Sequence, residues 1–172
     1  MKDHESFEEL DTAVWAHIEA ERFEQAEVAL RKLIDLIHPE DALRLNMFFG
    51  LLGGVLNSLE RSDEGTQMYR RALDEARRLR PPEPTVDVAR YMLANQYLIY
   101  GDPAVALAET EPVPPGSGHV PCLLHSVAAH ALWKLGRQDE ARAAATNAIT
   151  ASPTDDRRTQ LSEQLKYIFD SA

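Results

Sequence analysis

A small residue recurs at an equivalent place in four segments of this sequence: Ala26, Gly65, Ala106 and Ala141, spaced 39, 41 and 35 residues apart. Each opens a stretch whose apolar side chains fall three and four residues apart, the period of an α-helix. Each follows another stretch of the same kind across a short polar or glycine-bearing break. Self-similarity at a period of roughly 20–50 residues marks one supersecondary unit used several times. The unit here is two antiparallel helices, with the small residue where they approach closely.

Strand signals are nearly absent, and the chain reads as about nine helices. Ser6-Phe7-Glu8-Glu9 is a capping-box pattern that opens the first. The second runs from about Glu24 to Ile37 and ends at His38-Pro39. The third covers about Asp41 to Leu59, and the fourth runs from near Ser62 to Leu79 and stops at Pro81-Pro82. Thr85 can cap a fifth, which ends at Gly101. Asp102-Pro103, a cap residue followed by proline, starts a short sixth. Pro121 opens a seventh that ends at Gly136, and the eighth spans about Gln138 to Ala151. Thr154 caps a ninth, with Leu161, Leu165, Ile168 and Phe169 on one stripe. The Pro/Gly-rich stretch from Glu111 to Gly118 reads as a loop within one domain.

The residues of each hairpin resemble the tetratricopeptide pattern, W-x2-L-G-x2-Y, then A-x3-F, then P. The second hairpin reads Phe49-x2-Leu52-Gly53-x2-Leu56, then Gly65-x3-Tyr69 and Ala72. The fourth reads His125-x2-Ala128-Ala129-x2-Leu132, then Ala141-x3-Ala145, Ala148 and Pro153. The third gives Arg90-x2-Leu93-Ala94-x2-Tyr97 and Ala106-x3-Thr110. The first gives Leu10-x2-Ala13-Val14-x2-His17 and Ala26-x3-Leu30. The resemblance implies an all-α fold, a right-handed superhelical solenoid of antiparallel helical hairpins. It predicts a single domain over 1–172, with hairpins at about 7–40, 41–80, 85–112 and 121–153. Residues 154–171 would form the capping helix that closes the last hairpin.

In this family the first helices of successive hairpins line a concave groove. That register would place Trp15, Ile18 and Glu19 on the groove from the first hairpin, with Asn57 and Ser58 beside Gly50 and Gly54 from the second. Tyr91, Asn95 and Leu98 would come from the third, and Ser126, His130, Trp133 and Lys134 from the fourth. Large aromatic anchors with a polar handle suit peptide binding. The family's carboxylate clamp for chaperone tails needs several Lys, Arg and Asn side chains at set groove positions. Only Asn95 fits, and Lys134 lies off the expected place. The implied function is a non-catalytic scaffold for a protein or peptide segment, with self-association into a homo-oligomer as the alternative and a ligand-responsive regulator as a third reading.

The formal net charge is −10, from 18 Lys+Arg against 28 Asp+Glu. Residues 1–40 hold eleven acids against Lys2, Arg22, Arg31 and Lys32, a net −7. Phosphate recognition needs a basic field, so nucleic acid is disfavoured and a basic partner favoured. No apolar run is long enough to span a bilayer, and no signal-peptide core follows Met1. These features predict a soluble, cytoplasmic protein without membrane partners.

Catalytic and cofactor signatures are missing from the sequence. There is no HExxH pair, P-loop or dinucleotide fingerprint, and no nucleophile elbow, so no enzyme activity, cofactor or metal is expected. His125 and His130 are five apart and point about 140° from each other on a helix. His17 sits at a core-type repeat position and reads as a packed, hydrogen-bonded histidine. Cys122, the one cysteine, reads as a small buried hydrophobe. Arg70, Arg71, Arg77 and Arg78 share a face with Asp74 and Glu75 between them, the pattern of a solvated, intrahelically paired surface.

Overall fold

Several helix starts follow the local capping chemistry. The computed structural model describes residues 6–79 and 84–170. Helix α1 (Phe7–Glu19) opens with the expected capping box. The Ser6 amide donates to Glu9 Oε2 at 2.8 Å, and the Glu9 amide donates to Ser6 Oγ at 3.3 Å. Helices α2 (Phe23–Leu36), α3 (Ala42–Ser58) and α4 (Ser62–Arg78) follow. The Asp41 carboxylate caps α3 by accepting from the Arg44 amide at 3.1 Å. Next come α5 (Thr85–Tyr100), α6 (Pro103–Thr110), α7 (His119–Lys134) and α8 (Gln138–Ala151). Asp102 caps α6 through the Ala104 amide at 2.7 Å, with proline at the first turn. Among the described residues every element is a helix.

Three departures from the sequence reading have local causes. Thr85 is the first residue of α5 rather than its cap, and the Val88 amide bonds the carbonyl of Pro84. Helix α7 begins two residues before Pro121, at His119, with Gly118 as its cap residue. The expected ninth helix is two: α9 (Asp155–Gln164), capped by Thr154, and α10 (Lys166–Asp170), with Leu165 between them. The proline pair at Pro81-Pro82 and the far end of the predicted capping helix at Ser171 lie outside the described residues.

The chain divides into two compact units, residues 1–89 and 90–172. In the first, α1 packs on α2, α2 on α3 and α3 on α4. Its core joins Leu10, Val14, Leu30, Leu33, Phe48, Leu52 and Leu56. The Phe7 and Phe48 rings meet edge-on, 6.0 Å between centroids. In the second, α6 packs on α7 and α7 on α8, and α8 is covered by α9 and α10. Leu161, Leu165 and Ile168 are buried there against the alanine-rich face of α8. Full burial of such a side chain is worth about 1.5–3 kcal/mol, so three of them hold the C-terminal helices as a firm cap.

The recurring small residue does what close helix packing requires. Ala26, Ala106 and Ala141 are fully buried, and Gly65 is buried where α4 crosses α3. A Cβ on Gly65 would lie 2.5 Å from Asn57 Oδ1 and 3.0 Å from the Gly53 carbonyl oxygen. A Cβ on Gly53 would meet the Tyr69 ring at 3.1 Å.

Three of the hairpin turns share one geometry. Glu21, Glu60 and Gly136 adopt positive φ of 54°, 60° and 74°. The next residue, Arg22, Arg61 or Arg137, returns its amide to a carbonyl five residues back: His17, Leu56 or Leu132. This is the Schellman closure of a helix C-terminus. Arg61 then spans hairpins, bonding Glu27 of α2 at 2.6 Å and Glu64 of α4 at 2.6 Å. Burial alone would raise the Glu27 carboxyl, but hydrogen bonds from Arg61 and Arg31 outweigh it and hold it below the usual carboxylate range.

Candidate binding surfaces

In the first unit, α1 has two faces. Leu10, Val14 and Ile18 pack toward the core. Glu8, Asp11, Trp15 and Glu19, at intervals of three and four residues, make the other stripe. Trp15 is 47% exposed. Glu8, Asp11 and Glu19 form no ion pair with another described residue. Elsewhere acids are neutralised locally: Arg31 on Glu27, Arg77 on Asp74, Arg137 on Glu140, Arg158 on Asp155. The α1 stripe is therefore an exposed indole set among uncompensated carboxylates. Of the sequence candidates here, Trp15 and Glu19 are open to solvent. Ile18 is half-buried against the core, and Asn57 is half-buried beside Gly65.

Periodicity alone passed over two further exposed side chains, Leu43 and Met47 on α3, which lie four residues apart and are 55% and 49% exposed. Their spacing with Leu51 and Gly54 puts them on one stripe of α3. The signal available was that α3 is apolar nearly all round, more than one buried face can use.

The second unit treats its candidates differently. Leu98 is a core residue, buried with Ala94, Ala106, Val127 and Ala131, so its side chain lines no open surface. Its carbonyl accepts from Lys134 Nζ at 2.7 Å. Tyr91 is half-buried against the same cluster, and Asn95 and Ser126 are half-buried. His130 and Trp133 are covered by Tyr167 of α10. The Tyr167 hydroxyl hydrogen-bonds His130 Nδ1, and its ring meets Trp133 edge-on at 5.5 Å. Burial, with a smaller contribution from the Lys134 charge, pushes the His130 imidazole below its ordinary range.

Two other sequence readings are resolved by geometry. His17 is packed as expected, but its Nδ1 is buried without a hydrogen-bond partner. Cys122 is buried, with Sγ 3.6 Å from Ser152 Oγ. On the arginine-rich face of α4, Arg77 reaches Asp74 at 3.5 Å and Arg78 bonds Glu75 within the helix, while Arg78 also lies 3.7 Å from Glu40 before α3. Arg71 lies over the Phe49 ring at 5.7 Å.

The Pro-rich segment is tied down at both ends. Arg90 donates to the Pro112 carbonyl at 2.8 Å, after a cis Glu111–Pro112 bond, and the Gly118 amide donates to Ala151 at 2.9 Å. A shallow cavity of about 310 Å³ beside it is lined by Gly116, Ser117, His125, Asn147 and Thr150. Nearby, Thr110 and Cys122 are buried and His119 is exposed. Among the described residues no group of three His, Cys, Asp or Glu could hold a metal ion, and no helix is long and apolar enough to cross a membrane.

No curated protein matches the sequence. Residues 125–155, covering α7, α8 and the turn between them, match the tetratricopeptide repeat model. The α7–α8 hairpin is thus similar to a tetratricopeptide repeat, and the described helices pack in consecutive pairs around a recurrent small residue, as in an all-α helical-repeat protein.

Proposed function

We propose that this protein is a non-catalytic binding module for a protein or peptide segment, and that the outer stripe of α1 supplies its principal contact. Repeats of this kind generally serve protein–protein interaction. The observation that carries the finer reading is Trp15, nearly half exposed between Asp11 and Glu19 on a stripe with no neutralising cation among the described residues. An indole face attracts a guanidinium or ammonium group, and the flanking carboxylates steer a cationic segment toward it. The preferred ligand is a basic segment with an Arg or Lys side chain over Trp15. Leu43 and Met47 add exposed apolar area in the same unit.

In the second unit, Tyr91, Asn95, Ser126 and Lys134 are secondary candidates. His130 and Trp133 contribute only if the Tyr167 side chain swings away. A cytoplasmic setting belongs to the same reading, supported by a lone buried cysteine in a chain without any disulfide.

The test is a positional-scanning peptide library read by fluorescence anisotropy against wild type and Trp15→Ala. Selection of Arg- or Lys-bearing peptides that lose at least about tenfold in affinity with the variant supports the proposal. Selection without charge preference, or equal binding by the variant, contradicts it.

A further inference from the structure

The second unit lays one of its own tyrosines on an aromatic face of α7, and the contacts show what that face recognises. Ser126, His130 and Trp133 lie four and three residues apart on one stripe of α7. Tyr167 of α10 covers two of them. Its ring stacks on His130 and meets Trp133 edge-on, and its hydroxyl hydrogen-bonds His130 Nδ1. Both parts of a phenol are met: the ring by an imidazole and an indole, and the hydroxyl by a ring nitrogen that a phenylalanine leaves unused. Ser126 is half-buried and makes no hydrogen bond among the described residues. The charge of Lys134, one turn beyond His130, disfavours a cationic side chain here, unlike the Trp15 stripe.

Tyr167 is not what anchors α10. Leu161, Leu165 and Ile168 are almost wholly buried, whereas Tyr167 is 40% exposed. A change of χ1 carries its ring into solvent without disturbing those three, and exposed side chains change rotamer rapidly.

We propose that the His130–Trp133 face is a recognition site for a tyrosine side chain of a partner, occupied in the free chain by Tyr167 as a stand-in. A partner's tyrosine takes the same contacts once Tyr167 turns out, with the Ser126 hydroxyl beside it for the partner's backbone. Seating of Tyr167 weakens the apparent affinity by the fraction of chains left open. As a site for a protein or peptide segment it depends on the binding-module reading, and it is independent of Trp15.

The probe is p-cresol, the tyrosine side chain without its backbone, titrated to about 10 mM. In a Trp15→Phe background Trp133 reports occupancy through its emission. Tyr167→Ala, checked for helicity by circular dichroism, should bind p-cresol saturably and recover the bluer emission of the covered indole. Toluene, which lacks the hydroxyl, should bind at least about threefold more weakly, and adding His130→Leu should erase that preference. With Tyr167 in place, p-cresol should bind at least about tenfold more weakly than to Tyr167→Ala. Failure of Tyr167→Ala to bind p-cresol overturns the site, as does equal binding of toluene or equal binding with Tyr167 in place. These outcomes involve no peptide, so they are separable from failure of the binding-module reading. The peptide library then tests the partner: Tyr167→Ala should select tyrosine over phenylalanine, and selection without that preference overturns a tyrosine-bearing partner.

Discussion

The Tyr167 ring stacks on His130, 5.9 Å between centroids and 21° from parallel, while its hydroxyl bonds His130 Nδ1 and its ring makes a T-shaped contact with Trp133. The C-terminal helix thus places one side chain over two residues that the repeat register assigns to a groove. Tyr167→Phe keeps the ring contacts and removes the hydrogen bond, at an expected cost of about 1 kcal/mol in urea unfolding. Tyr167→Ala uncovers the indole. In a Trp15→Phe background, where Trp133 is the remaining tryptophan, its emission should shift to the red.

Two histidines make stability depend on pH. Burial lowers His130, helped by Lys134. Burial also lowers His125, opposed by Glu111. The folded state therefore binds these protons more weakly than the unfolded state. Stability from the neutral imidazoles is complete above about pH 6.5 and is lost as pH falls through the depressed folded-state values. Thermal scans should show a flat Tm near neutrality and a decline below about pH 6.5. His130→Gln, which faces the same Tyr167, Trp133 and Lys134, should reduce that decline.

Gly65 and Gly54 should respond oppositely to alanine. At Gly65 the added Cβ meets Asn57 and the Gly53 backbone, so Gly65→Ala should destabilise by about 1–3 kcal/mol. At Gly54 the nearest atom is the Tyr69 hydroxyl at 3.6 Å, an ordinary contact. There the gain in helix propensity, about 0.5–1 kcal/mol, should appear as a higher urea midpoint.

Glu60 holds a left-handed conformation at φ 60° where the equivalent turn after α7 uses Gly136. Left-handed backbone crowds a Cβ, and glycine avoids that cost. Glu60→Gly should stabilise by a few tenths to about 1 kcal/mol, and Glu21→Gly should do the same. Denaturant titrations of the two variants and their double check both effects and their additivity.

The fold was legible because its causes are local. Ser6, Asp102 and Thr154 announce their helices through side-chain capping, and the small residues at 26, 65, 106 and 141 mark where helices touch. The turn at Leu135-Gly136-Arg137 was readable from glycine, whereas the same turn at Glu21 and Glu60 was hidden by residues that rarely adopt it. The candidate surfaces were less legible, because they depend on what packs over a helix. Trp15 and Trp133 look alike in register, yet one is exposed and the other lies under Tyr167, some 34 residues further along the chain. Leu98 differs from an exposed apolar residue only through the helices that enclose it. The break at the buried Leu165, between α9 and α10, has no proline or glycine to announce it.

The central claim is that the α1 stripe takes a basic segment on Trp15. The most direct measurement is the emission of Trp15, made the lone tryptophan by Trp133→Phe, titrated with the highest-affinity basic peptide from the library at low and high salt. The account predicts a saturable change in emission whose midpoint rises with salt and whose amplitude vanishes when the peptide's Arg and Lys are replaced by Gln. Binding detected by anisotropy with no change in Trp15 emission would contradict it.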